Sequence, residues 1–168
     1  MKEKIKPILV IVGKSGSGKN YILEDVMLLK YAINNTTRDR RTSDPKELTY
    51  YSKKYVEENY DEIKLKAPYI TLYCNNYYWT YIKDFNNPEH DFTVVEPNGV
   101  KDLLELEGAI RKMQFVYINC SLRKRIRNMK RRKDSFKKIL ERIVKDAWLF
   151  RGMKKKIKKL DNGFILEV

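Results

Sequence analysis

Cysteine and histidine are almost missing from this sequence: two cysteines and one histidine occur in 168 residues. Cys74 and Cys120 share no motif, and neither sits at metal-ligand spacing. That argues against a disulfide scaffold or a zinc framework and makes a reducing, cytoplasmic setting the expectation. With His90 alone, in the turn-like run Asn86–His90, no Ser/His/Asp triad is evident. Long apolar runs are also missing. The stretch Ile8–Val12 is too short for a signal segment or a membrane span, so no membrane partner is expected. Repeats and low-complexity linkers are absent, and 42% hydrophobic residues suffice for one continuous core. Acid is scarce in one region. Between Ser121 and Lys159 there are 18 Lys/Arg against 3 acids, a net of +15, which leaves the rest of the chain at 18 basic and 19 acidic residues. A charge this local calls for a phosphate-binding lid, a nucleic-acid surface or a solvated helical face.

What is present reads as alternating strands and helices. Ile8–Val12 (ILVIV) is β-branched without alternation, which suits a strand buried on both faces of a parallel sheet. Ile22, Val26 and Leu29 have helical spacing, so a helix of about three turns is expected from Lys19. Tyr31–Asn34 is a candidate second strand, and 36–46 reads as irregular. Short strands are expected at Thr49–Tyr51 and Ile70–Cys74 around a helical piece near 55–62 in a tyrosine-rich middle segment. Phe92–Glu96 and Phe115–Asn119 read as core strands with a helix near 100–107 between them, and basic helices follow at 122–132 and 135–158. Phe164–Glu167 closes the pattern. The fold class is α/β, a mainly parallel core sheet flanked by helices.

Gly13–Asn20 (GKSGSGKN) fits G-x-x-x-x-G-K and lies between an expected strand and an expected helix. Glycines allow positive φ and close approach to phosphate oxygens. Backbone N–H groups of Gly16, Ser17, Gly18, Lys19 and Asn20 can then form an anion nest at a helix N-terminus, with Gly13 and Ser15 shaping the loop. Lys19 would bridge the β- and γ-phosphates of a nucleoside triphosphate, which makes ATP with Mg²⁺ the expected cofactor pair. The last motif position, normally Ser or Thr, is Asn20. Its carboxamide is the candidate magnesium ligand in place of a hydroxyl.

Further motifs follow in order. Asn34-Asn35-Thr36-Thr37-Arg38-Asp39-Arg40-Arg41 with Tyr50-Tyr51 resembles S-x-T-T-R-x-x-R followed by D-Y-x-F. Asn76–Thr80 (NYYWT) resembles G-N-Y-Y-G-T, Glu96–Gly99 sits where D-x-Q-G is expected, and Ser121–Arg142 resembles an arginine-rich lid. Together these segments resemble the guanylate kinase family over most of the chain. The resemblance implies a P-loop nucleoside monophosphate kinase fold with a core at about 1–33, 85–120 and 143–168, an inserted monophosphate-binding subdomain at about 34–84, and a lid at about 121–142. It implies phosphoryl transfer from ATP to a nucleoside or deoxynucleoside monophosphate, GMP or dGMP by family precedent. Arg38, Arg41, Tyr50 and Tyr78 would hold the acceptor phosphate, with Asn34 beside them, and Thr80 and Glu96 would contact the base. Two arginines three apart can present rigid donor forks to one phosphate, which supports the first assignment independently. Arg125 and Arg142 would act with Lys19 in catalysis, and Arg131 or Arg132 would fill a third lid role. Two departures concern the base pocket. Tyr69 stands where the family has a guanine-reading glutamate, and Trp79 replaces a glycine, so a large ring is expected to reshape that pocket.

Other readings compete. A catalytically silent nucleotide- or partner-binding module is motivated by Asn20 and Tyr69. A nucleic-acid-binding ATPase is motivated by the basic third, although no nucleic-acid motif accompanies it. The run Lys154–Lys159 reads as a solvated helix end. A homodimer is compatible with the sequence.

Overall fold

The computed structural model describes residues 6–41, 44, 46–106 and 110–168. Its core is a four-stranded parallel sheet of β1 (Ile8–Val12), β6 (Phe92–Val94), β7 (Met113–Asn119) and β8 (Gly163–Glu167), in the order β6-β1-β7-β8. Both faces of β1 are covered, which is why its sequence does not alternate. Ile8, Val10 and Val12 pack with Val100, Leu103, Phe115, Tyr117, Phe150, Met153 and Ile157 on one side. Ile11 packs with Leu23, Tyr31, Phe92 and Ile118 on the other. Helices therefore flank the sheet, as the α/β reading requires.

A second four-stranded sheet is built from β2 (Asn34–Thr36), β3 (Leu48–Tyr50), β4 (Tyr69–Tyr73) and β5 (Asn76–Thr80), in the order β3-β2-β5-β4. Only its β2–β3 pair is parallel. Helices α1 (Lys53–Glu58) and α2 (Tyr60–Lys66) cover one face, where Val56, Ile63, Ala67 and Trp79 form a separate small core. Short α3 (Ile82–Asn86) leads back to the main sheet.

The two sheets meet at α4 (Pro97–Glu105). A Cβ on Gly99 would lie 2.7 Å from Val95 Cγ1 and 2.9 Å from Tyr69 Cδ2, so the helix approaches β4 as closely as it does only because that position is glycine. The basic third forms α5 (Leu122–Arg131), α6 (Phe136–Leu149) and α7 (Met153–Lys158). Ser121 and Ser135 cap α5 and α6 by accepting from the backbone N–H of Lys124 and Lys138.

Several local expectations shift. The helix after the glycine loop spans Lys19–Val26, about two turns rather than three, and its Tyr21–Val26 part is π-helical. Met27 caps it, and Leu28, a non-glycine residue at φ 54°, follows. Tyr31 contributes only an isolated bridge to Phe92, and the strand lies at Asn34–Thr36. The helix expected over 135–158 is two helices, because Gly152 at φ 75° turns the chain between them. Residues 76–80 are a strand, and 55–62 divides between α1 and α2 at Asn59.

Candidate active site

The glycine loop leaves β1 and turns into the helix at Lys19, with Gly16 at φ 76° and Gly18 at φ 82°. It is held by its surroundings. A Cβ on Gly16 would lie 2.5 Å from the Arg125 carbonyl oxygen, so α5 lies directly against the loop. Asn128 Nδ2 donates to Gly16 O at 2.8 Å and Arg125 Nε donates to Ser15 O at 2.8 Å.

One carboxylate, Asp146 of α6, organises this contact. It is fully buried. It accepts from Ser15 N–H at 2.8 Å, from Tyr73 OH at 2.7 Å and from Arg125 Nη2 at 2.5 Å. Arg125 is 4% exposed, so its guanidinium is committed to the loop and to Asp146 rather than free above the phosphates. A buried charge pair of this kind is tolerable because every oxygen of Asp146 has a donor.

Lys19 folds back on its own loop, donating to Gly13 O at 2.5 Å and Lys14 O at 3.2 Å. Burial lowers its pKa, while the carboxylates of Glu96 and Asp146 work in the opposite direction. Glu96 sits at the N-terminus of α4, facing Lys19. Burial pushes its pKa up to about 7, against the pull of Lys19. Two polar groups in the loop are uncommitted. Among the described residues, Ser17 Oγ is buried without a hydrogen-bond partner, and Asn20 makes no capping bond with its side chain.

The expected acceptor cradle is assembled around a residue not singled out from sequence. Arg38 Nη1 and Nη2 donate to the two oxygens of Asp44 at 2.7 and 2.5 Å. Tyr50 OH donates to the same carboxylate at 2.5 Å, and Arg41 N–H does so at 2.7 Å. Burial opposes the charge on Asp44, but these hydrogen bonds outweigh it and hold its carboxyl below the usual range. The Arg41 guanidinium is in a different position. Burial lowers its pKa first, and the cations of Arg142, Arg38 and Arg132 lower it further.

Those last residues connect the segment around the second sheet to the basic helices α5 and α6. Arg132 and Arg142 both reach Asp134, at 3.3 and 3.5 Å. Arg132 is depressed by burial and, despite Asp134, by Arg142 and Arg38, and it also acts on Lys19. Arg131 and Arg132 are both exposed, but Arg132 is the one within electrostatic reach of Lys19, Arg38 and Asp44.

Asn34 and Thr80 are brought together, but inside a closed network. Thr80 donates to Asn34 Oδ1 and shares a 2.7 Å hydrogen bond with Tyr69 OH. Thr93 Oγ1 donates to Asn34 Oδ1 at 3.0 Å, and Asn34 Nδ2 donates to Tyr31 OH at 2.9 Å. Thr80 is fully buried and Tyr69 is 4% exposed. Tyr78 shares the Thr80 face of β5 and lies within electrostatic reach of Glu96, Arg38 and Arg41. Trp79 points the other way, tilted against Tyr51 and edge-on to Tyr81 in the small core beneath the second sheet. The expectation that its ring reshapes the pocket is thus corrected by the alternation of the strand.

Asp44, Tyr73, Asn128, Asp134 and Asp146 went unread in the sequence as site residues. Asp134 and Asp146 carried one signal, as two of only three acids in the basic third.

No protein-family model matches the chain, and no curated protein sequence does. Among solved structures, a guanylate kinase from Anaplasma phagocytophilum superposes with a TM-score of 0.57 at 14% identity, over 98% of this chain and 78% of that one. The parallel sheet, the glycine loop after β1 and this likeness define a P-loop kinase fold. Among the described residues, no helix is long and apolar enough to cross a membrane.

Proposed function

We propose that the protein transfers the terminal phosphoryl group of ATP to a nucleoside or deoxynucleoside monophosphate. The observation that carries this reading is the convergence of cations from three separate elements. Lys19 comes from the glycine loop, Arg38 and Arg41 from the insert, and Arg132 and Arg142 from the lid, each within electrostatic reach of the next. Like charges crowd this way at a cost, and a polyanion between them removes it.

The donor residues fit a triphosphate. Ser17 Oγ is a buried hydroxyl lacking a partner, and the amides of Gly16–Asn20 follow a loop with two positive-φ glycines. ATP supplies the phosphoryl group when bound, and Mg²⁺ supplies charge neutralisation. No group of three His, Cys, Asp or Glu suited to a metal occurs among the described residues. Asn20, at the motif position that normally carries a metal-binding hydroxyl, is the residue that would hold the ion or its water. Lys19 exchanges the loop carbonyls for phosphate oxygens. Arg41, Arg132 and Arg142 stabilise charge that develops in transfer, and lid closure excludes water. Arg125 acts as a positioning residue, fixing the loop through Ser15 and Asp146. The protein needs no strong base, since alignment of the two phosphates supplies most of the rate. Guanine is the acceptor base by resemblance, with Glu96 the carboxylate available to read it.

A coupled ADP-release assay over the common NMPs and dNMPs tests the proposal. Turnover with one or more acceptors, abolished in Lys19→Ala, is expected. A second reading, a catalytically silent binding module, is favoured by Asn20 and by the self-engaged Lys19. Nucleotide binding without turnover for every acceptor would establish it instead.

A further inference from the structure

Asp44 occupies a seat built for something else. Its carboxylate, 6% exposed, receives the guanidinium fork of Arg38, the phenol of Tyr50 and the backbone N–H of Arg41. A planar fork, a neutral hydroxyl and a backbone amide are the donor set that recognises a phosphate monoester. With all of them engaged, none is left for an incoming phosphate, and the carboxylate would repel one. We propose that Asp44 is an internal stand-in for the acceptor phosphate, and that a phosphate monoester dianion enters the cradle by displacing it. This rests on the acceptor role given above to Arg38 and Tyr50.

The exchange has a physical basis in what Asp44 fails to satisfy. It lies six residues after Arg38 and six before Tyr50, so as a tethered ligand it competes at an effective concentration on the order of millimolar. Yet it touches Arg41 only through the backbone, leaving that guanidinium among Arg142, Arg38 and Arg132, with Asp134 offsetting them in part. A dianion with three acceptor oxygens can answer Arg38, Tyr50 and Arg41 together and relieve the crowding, which a single carboxylate does not. Displacement therefore selects for the doubly charged phosphate. A nucleoside, or an acceptor ending in a carboxylate, lacks the charge to drive it. Acceptor entry becomes coupled to rearrangement of the chain at Asp44, so nucleotide selection includes a charge threshold as well as base contacts.

Calorimetry on wild type, Asp44→Asn and Asp44→Ala, with inorganic phosphate, the NMP panel and the parent nucleosides, tests this. Asp44→Asn should bind phosphate and the preferred monophosphate at least tenfold tighter than wild type, with nucleoside binding unchanged. The gain should vanish in the Arg38→Ala/Asp44→Asn double variant. Equal or weaker phosphate binding by both single variants, or none by any form, overturns the proposal and makes Asp44 an organiser of the cradle. Failure of every nucleotide to bind any form defeats the kinase reading, while the inorganic phosphate arm still decides the role of Asp44. A wild-type measurement covers loss of folding in the variants. The Asp44 carboxyl ¹³C resonance should move towards that of a solvated carboxylate as phosphate saturates, and a resonance that stays put with phosphate bound overturns the displacement.

Discussion

The proposed donor and acceptor seats are both closed by the protein's own atoms, but in different ways. At the donor seat, the loop backbone is fixed from outside by Asp146, Arg125 and Asn128, and Lys19 alone folds inward. Opening this seat requires one flexible side chain to turn away from a frame held by those contacts. At the acceptor seat the closing group, Asp44, lies on the same connecting stretch as the arginines it binds. Withdrawing it changes the frame itself. On the proposed reading, the difference teaches that one site can be preorganised for its phosphoryl donor and reorganised by its acceptor. Preorganised donors need no rearrangement at the moment of transfer.

The contrast can be broken most completely at Lys19. Lys19→Ala should lower kcat on the order of 10²–10³-fold or more with the fold intact, read by the ADP-release assay and by an unchanged circular dichroism spectrum. Next is the outside clamp. Asp146→Ala leaves Arg125 buried and unpaired beside the loop and should cost about 3–5 kcal/mol in urea unfolding. Arg125→Met/Asp146→Leu should recover much of that stability without recovering ATP affinity, because Ser15 N–H then lacks its acceptor. Trp79→Ala removes a ring from the insert's small core and should cost about 3–5 kcal/mol, with hydrogen-exchange protection lost in 48–80 before the parallel sheet.

The smallest effect concerns pH. Glu96 has a folded pKa raised from 4.5 to about 7, so the folded state binds a proton that the unfolded chain has released. Its contribution to stability is fully present below about 4.5 and is lost as pH rises through about 7. Glu96→Gln should therefore gain on wild type across that window. Tm differences measured at pH 5 and pH 7.5 check the sign, and equal differences at both values would show an ordinary surface carboxylate.

Much of the fold was legible because local and tertiary preferences agreed. Ile8–Val12 is apolar throughout since both of its faces are covered, and the glycine loop has a backbone requirement that few residues meet. The site was legible as far as neighbours in sequence were neighbours in space: Arg38, Arg41 and Tyr50 do converge. What went unread depends on approach between distant segments. Asp146 meets Ser15 across 131 positions, and no local pattern on α6 announces it. Asp44 was hidden for another reason. Between Arg41 and the next strand, an acid reads as loop solvation until the fork of Arg38 is seen turning onto it. Residues 76–80 were read as a binding motif and not as a strand, so the opposite directions of Trp79 and Thr80 were missed. Gly152 sits in a lysine-rich helical pattern that tolerates a glycine, so the break between α6 and α7 had no warning. The early end of the first helix depends on Leu28 at positive φ, which leucine composition never suggests.

The bare position at Gly99 links two events that otherwise look separate. The helix that touches Tyr69 through Gly99 begins at Glu96, the carboxyl opposite Lys19. A shift of the second sheet against α4 is therefore felt at Glu96 and, through it, at Lys19. A methyl at Gly99 would act as a wedge between Val95 and Tyr69, pushing α4 off β4 and loosening the contact that joins the two sheets.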